Sequence, residues 1–276
     1  MASRSGLREP LGVQIVLRVV TIGYVLALVA VPTALVFRNA FADGVGAFFD
    51  ALKEPSVTHA FTLTMEITIF AVLINLVFGV TMSLLLVRYE FLGKRLLSAL
   101  LDVPLSVSPV VVGLALVLVY NGRTGWFGPT LEGWGYKVIF ATPGMIMATV
   151  FVALPLVIRE IVPVLSELGD DQEQAARSLG ANGPQTFWRI TLPGIKWAVV
   201  YGVVLSLARS LGEYGAIKVV SGNIVNQTQT ATLVVEQQYE GFNQTSAYAV
   251  AAVLAFVAML CLVVVSFLRP REDHDS

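Results

Sequence analysis

The chain has little charge, one cysteine, two histidines and no loop for binding nucleotide phosphates. Charged residues make up 13% of 276 positions and the net charge is −1. With no basic stripe interleaved with aromatics, this balance points to no nucleic-acid partner. Cys261 rules out a disulfide within the chain; it lies in an apolar run, where a lone cysteine serves as a small hydrophobe. His59 has no cysteine or carboxylate partner at metal-ligand spacing, so no metal site is assigned. No G-x-x-x-x-G-K-[ST] segment is present to cradle a phosphate, and neither H-E-x-x-H, CxxC nor G-x-S-x-G occurs. By its own residues the chain is not an enzyme: no catalytic residue is assigned and no cofactor is expected on it.

What the chain has is apolar length. Hydrophobic residues reach 56% and mean hydropathy is +0.76, too apolar for an ordinary soluble domain. Apolar blocks cover about residues 13–37, 67–87, 96–120, 138–158, 197–217 and 247–268. Each is long enough to cross a hydrocarbon core of about 30 Å as a helix, and continuous runs rather than alternation argue against a β-barrel. The expectation is an all-α integral membrane protein with six transmembrane helices. The first block is too long for a cleaved signal segment and reads as a retained helix.

Orientation follows from the basic residues. With both termini inside, Arg4, Arg8, Arg18, Arg88, Lys94, Arg95, Arg159, Arg177, Arg189, Lys196, Arg269 and Arg271 lie on the inner side. Arg38, Lys53, Arg123, Lys137 and Lys218 lie outside. Twelve against five predicts cytoplasmic termini. The polar stretch 170–193, DDQEQAARSLGANGPQTFWRITLP, then also faces the cytoplasm. Asp170, Asp171 and Glu173 suit a helix start, Gly180 a helix stop, and Asn182, Gly183 and Pro184 a turn into a second short helix that Pro193 closes.

Two other stretches bear on transport. Pro104 and Pro109 interrupt the third block and free backbone groups that only protein or a water-lined cavity can satisfy; for Ser106 and Ser108 two readings stay open, a lining of the pathway or hydrogen bonding to the loosened backbone. In the fifth block Arg209 and Glu213 stand four residues apart on one helix face, with Gly212 and Gly215 leaving room for close approach. Two readings stay open for this pair: a polar lining for an anion route, or a self-neutralised structural pair. Thr64 with Thr68, and Asn75 with Gly79, share faces of the second helix that suit close packing.

The pattern Ala175-Ala176, three residues, Gly180, nine residues, Ile190, one residue, Leu192-Pro193 resembles the coupling loop of bacterial ABC importer permeases. One departure is Gln174 where an acid usually precedes the alanines; Glu173, one step earlier, points about 100° away. Val107 to Gly113, and Arg209 to Ala216 followed by Val219-Val220-Ser221-Gly222, are similar to the sulfate/thiosulfate permease group, more to its CysW-type than its CysT-type subunits. Tyr214 replaces the group's usual phenylalanine.

The resemblance implies a type I ABC importer permease fold with a cytoplasmic coupling-helix hairpin. It implies residues 1–60 as tail, first helix and external loop, 61–268 as the permease domain and 269–276 as a charged tail. It further implies a complex in the bacterial inner membrane with a CysT-type second permease, two CysA-type ATPases carrying ATP and Mg, and an external sulfate/thiosulfate-binding protein. Glu173, Gln174, Ala175, Ala176 and Gly180 would then contact the ATPase, and Ile190, Leu192 and Pro193 would fix the hairpin's return. Ser106, Ser108, Arg209, Gly212, Glu213 and Gly215 would line the substrate pathway. Molybdate or tungstate permeases share parts of these motifs. An ion-gradient-driven carrier or a membrane scaffold is the alternative from another class.

Overall fold

The computed structural model describes residues 11–268. Residues 1–10 and the charged tail 269–276, with Arg4, Arg8, Arg269 and Arg271, lie outside the described residues.

The first apolar block forms α1 (Leu11–Val25), a single π turn (Leu26–Ala30) and α2 (Val31–Ala40). Pro32 sits at the second position of α2, so the wider π turn ahead of it absorbs the ring and the missing N–H. Almost every described side chain of α1 is exposed, which suits a helix wrapped by lipid on all sides. The α2 helix joins the bundle, with Val36 and Phe37 against Ala249 and Ala252.

The region 39–60, expected as a loop, instead holds α3 (Val45–Lys53) and the start of α4 (Pro55–Arg88). Pro55 opens α4, where its lost donor costs nothing, and the helix runs 34 residues without a break. One face of α4 buries Thr64, Thr68, Asn75, Gly79 and Ser83. Apolar side chains gain little by leaving lipid for each other, so close backbone approach carries the association. A Cβ on Gly79 would stand 2.6 Å from Val157 Cγ1, and one on Gly202 would stand 3.0 Å from Val157 Cα. These contacts lock α4, α8 (Thr142–Leu168) and α11 (Leu192–Leu211) into the core.

The third block is not one straight span. It forms α5 (Lys94–Ser106) and α6 (Pro109–Tyr120), bent by 111° at residues 107–108. Pro109 forces Ser108 into an extended conformation at ψ 135°, and Val107 follows at ψ 136°. Among the described residues five helices are thus long and apolar enough to span, or six if the bent pair is one span. A short α7 (Gly128–Gly133) follows, with Trp126 and Trp134 exposed beside it.

After α8 come α9 (Asp171–Ser178), α10 (Gly183–Thr186), a π turn (Phe187–Thr191) and α11. Pro193 does not close the second short helix as its position in the sequence suggests. It is the second residue of α11, again directly after a π turn, and helical structure continues from Gly183 to Leu211. The fifth block, expected unbroken to residue 217, instead ends at Leu211; α12 (Gly215–Ser221) restarts after a break. Then α13 (Ala231–Glu240) and α14 (Gln244–Leu268) complete the bundle.

Candidate functional site

Polar groups gather at the hairpin end of the bundle and at the break between α11 and α12, about 30 Å away along the 20 residues of α11.

At the hairpin, local chemistry sets both turns. The Ala181 N–H bonds the Ala176 carbonyl and the Gly180 N–H bonds the Arg177 carbonyl, each at 3.0 Å, which ends α9 with Gly180 at φ +88°. That left-handed conformation needs glycine. Asn182 accepts from the Gln185 N–H at 2.9 Å, while Gln185 Oε1 accepts from the Asn182 N–H at 3.0 Å, and this reciprocal pair starts α10.

Tertiary contacts decide which face looks outward. Glu173 is 8% exposed and turned into the protein. Its Oε2 accepts from Arg88 Nε at 3.1 Å, and its Oε1 accepts from Arg88 Nη2 at 3.2 Å and from Thr191 Oγ1 at 2.9 Å. The same guanidinium donates to the Leu165 carbonyl at 3.2 Å and the Gly169 carbonyl at 2.7 Å. Arg88 therefore ties α4, the end of α8 and α9 together, and Thr191 adds the entry to α11. The outward face carries Gln174, Ala175, Gly180, Leu179 and Trp188, the last two 89% and 66% exposed. Gln174 Nε2 bonds Asp170 Oδ2 at 2.8 Å. Ala176 and Ile190 are half-buried, Pro193 is exposed, and Leu192 packs toward Val157, Leu165 and Ile195. A cleft of about 320 Å³ opens here between Arg88, Gln174, Arg177 and Thr186.

At the other place two helix breaks meet. A Cβ on Gly215 would lie 3.3 Å from Pro109 Cβ and Val110 Cγ2, and one on Gly113 would lie 2.9 Å from the Ala216 carbonyl oxygen. The α5–α6 bend and the α11–α12 gap thus face each other, an arrangement that membrane proteins tolerate where protein or a water-lined route covers the exposed backbone. Ser106 and Ser108 are exposed at the bend, and Gly212 is exposed in the gap with no side chain within 4 Å of the place a Cβ would take.

Arg209 and Glu213 do not share one helix: Arg209 is in α11, and Glu213 lies in the gap. They still pair, with Nη1 2.8 Å from Oε2. The Arg209 side chain is 38% exposed and that of Glu213 1%. The two charges touch without hydrogen-bond alignment, since Oε2 has no hydrogen-bond partner. The other oxygen, Oε1, accepts the Ala216 N–H at 3.0 Å and so supports the first turn of α12, and the Glu213 carbonyl accepts Thr232 Oγ1 at 2.9 Å. Glu213 organises the break; Arg209 is the charge left accessible.

A third cluster, unread in the sequence, joins α12 to α13. Tyr214 Oη donates to Glu236 Oε1, and Lys218 Nζ donates to both Tyr214 Oη and the same carboxylate. The Glu236 hydrogen bond above all raises Lys218. Burial acts to raise Glu236, but the hydrogen bonds from Lys218 and Tyr214 outweigh it and bring the carboxyl below its ordinary value.

Residues 75–271 match the family described as binding-protein-dependent transport system inner membrane component. The chain is 46% identical to a protein of Synechococcus elongatus named sulfate transport system permease protein CysW, over 92% of this chain and 88% of that one. It is 41% identical to the protein of that name from Escherichia coli K12, over 90% of this chain and 85% of that one. Among solved structures, a bacterial ABC transporter that imports the acidic polysaccharide alginate superposes with TM-score 0.74, covering 93% of each chain at 18% identity, a likeness of fold. A helical bundle interrupted by a solvent-facing hairpin, together with these matches, places the chain in the family of binding-protein-dependent transport system inner membrane components.

Proposed function

We propose that this chain is a membrane subunit of an ATP-driven importer that carries sulfate or thiosulfate into the cytoplasm. The observation that carries the substrate class is the 46% identity, across 92% of the chain, to a protein named for sulfate transport. In this reading the chain lies in the bacterial cytoplasmic membrane with its hairpin and both termini inside. Its partners are a CysT-type permease, two CysA-type ATPases and an external binding protein; ATP and Mg belong to the ATPases.

The hairpin's outward face, with Gln174, Ala175, Ala176 and Gly180, seats on an ATPase. Ile190, Leu192 and Pro193 carry its movement into α11. Nucleotide-driven closure then moves packed helices as rigid bodies between two arrangements. The facing breaks of α5–α6 and α11–α12 form part of the anion route. The exposed Arg209 guanidinium there suits a doubly charged oxyanion, and Ser106, Ser108, Gly212 and Gly215 leave room for it.

The test is uptake of radiolabelled sulfate by cells lacking this gene and by cells with it restored, with unlabelled thiosulfate and molybdate as competitors. Restored uptake that excess thiosulfate blocks and molybdate does not supports the reading. Unchanged uptake, with the partner subunits present and the chain in the membrane, moves the substrate to another oxyanion.

A further inference from the structure

We infer that Arg88, through Glu173, is the joint that passes movement of the hairpin to the membrane helices. The inference deepens the importer reading and rests on it.

Of the hairpin's side chains described above, Glu173 alone is both buried and bonded to residues of the membrane helices and their ends. Arg88 is the last residue of α4, so a displacement there acts directly on a helix that runs 34 residues through the core. Its planar guanidinium spends its donors on acceptors from separate places: both oxygens of Glu173 in α9, the Leu165 carbonyl in α8, and the Gly169 carbonyl between α8 and α9. A rigid fork with fixed donor directions transmits rotation as well as translation, which a lysine point charge does not.

The carboxylate is shared further. Thr191 donates to it from the π turn that leads into α11, so α4, α8 and α11 all meet at one ion pair. Those are also the three helices that pack backbone-close around Val157. The pair is shielded, with 15% and 10% of the two side chains exposed, so water and salt do not readily loosen it. By contrast Gln174 and Asp170 bond within the hairpin itself and pass nothing on. Arg88 and Glu173 are therefore positioning residues: they touch neither anion nor nucleotide, and they act through the helices they join.

The experiment uses the whole transporter, with second permease and ATPase, in proteoliposomes given binding protein and radiolabelled sulfate; uptake and ATP hydrolysis are followed together. The Arg88→Met/Glu173→Met double variant removes both charges and keeps the volume apolar, which buried pairs commonly tolerate. The expected result is a complex that assembles and hydrolyses ATP, with sulfate carried per ATP reduced at least tenfold. Arg88→Lys keeps the charge but not the fork, and is expected to reduce the ratio at least threefold.

Wild-type sulfate per ATP in the double variant or in Arg88→Lys overturns the inference, as does loss of the ATPase from an otherwise intact double variant. If the double variant does not accumulate, the Arg88→Lys ratio decides alone. A wild-type chain that recruits no ATPase overturns the importer reading, and this inference with it.

Discussion

Two arginine–glutamate pairs among the described residues are of opposite construction. Arg88 and Glu173 are 85 residues apart, both shielded, and the carboxylate accepts three hydrogen bonds. Arg209 and Glu213 are neighbours in sequence and share a 2.8 Å contact, with one carboxylate oxygen left without a hydrogen bond and the arginine 38% exposed. The first pair binds elements to one another; the second holds a local break open beside a gap. Satisfied donors and acceptors make a stiff joint, whereas the second pair leaves its arginine open to the gap. Rigidity at the hairpin and latitude at the breaks are what the proposed coupling end and the proposed anion route would need.

The contrast breaks most visibly at the stiff joint. Arg88→Ala leaves the Glu173 carboxylate buried without its partner and is expected to cost about 3–5 kcal/mol, read as a lower thermal midpoint of the detergent-purified protein. A midpoint unchanged from wild type would mean that the clamp adds nothing to stability.

Gly180→Glu comes next. A side chain at φ +88° is strained by about 1–2 kcal/mol, and the new charge sits on the outward face. The chain is expected to insert in the membrane and lose sulfate uptake; uptake at the wild-type rate would remove the hairpin from the coupling path.

At the breaks the stability effect should be smaller. Glu213→Gln keeps an acceptor for the Ala216 N–H and removes only a charge contact with a partly exposed arginine. A loss below about 1 kcal/mol is expected, because exposure of the partner screens the pair. A cost matching that of Arg88→Ala would erase the distinction between the two pairs.

The smallest effect belongs to Tyr214→Phe, which removes one hydroxyl from the α12–α13 latch, with an expected cost under about 1 kcal/mol. The latch also has a pH signature. Glu236 titrates below its ordinary range, so its contribution is complete above the usual glutamate value of about 4.3 and is lost as pH falls through the lower folded value. Lys218 titrates above its ordinary range, so its contribution is complete below the usual lysine value and is lost only as pH rises through the higher folded one. Stability of the wild type should therefore fall on acidification below about pH 4 more steeply than that of Glu236→Gln. Parallel acid profiles would show that the latch is not coupled to folding.

The elements readable in advance were those with local causes. Apolar length marked the membrane blocks, and the close-packed face of Thr64, Thr68, Asn75 and Gly79 followed from helical spacing. Gly180 and Asn182 had recognisable turn chemistry. The expectations that failed were those in which two local rules competed. Pro193 was read as a helix stop, but a π turn let the helix pass it. The fifth block looked unbroken, yet it stops at Leu211, where Glu213 and Thr232 support a new start. Arg88 registered only as one basic residue among twelve, because nothing near it in sequence reveals its partner.

Composition and spacing, acting over a few residues, determined by themselves that this is a membrane-embedded helical protein with a solvent-facing hairpin of defined turns. Only the tertiary structure decided that Glu173 turns inward to Arg88, that the two helix breaks face each other, and that Tyr214 reaches Glu236. The physical reason is range: hydrophobic length and turn geometry are set by neighbours along the chain. Which charges meet is set by how whole helices pack, and that rests on close contacts such as Gly79 and Gly202 against Val157, far apart in sequence.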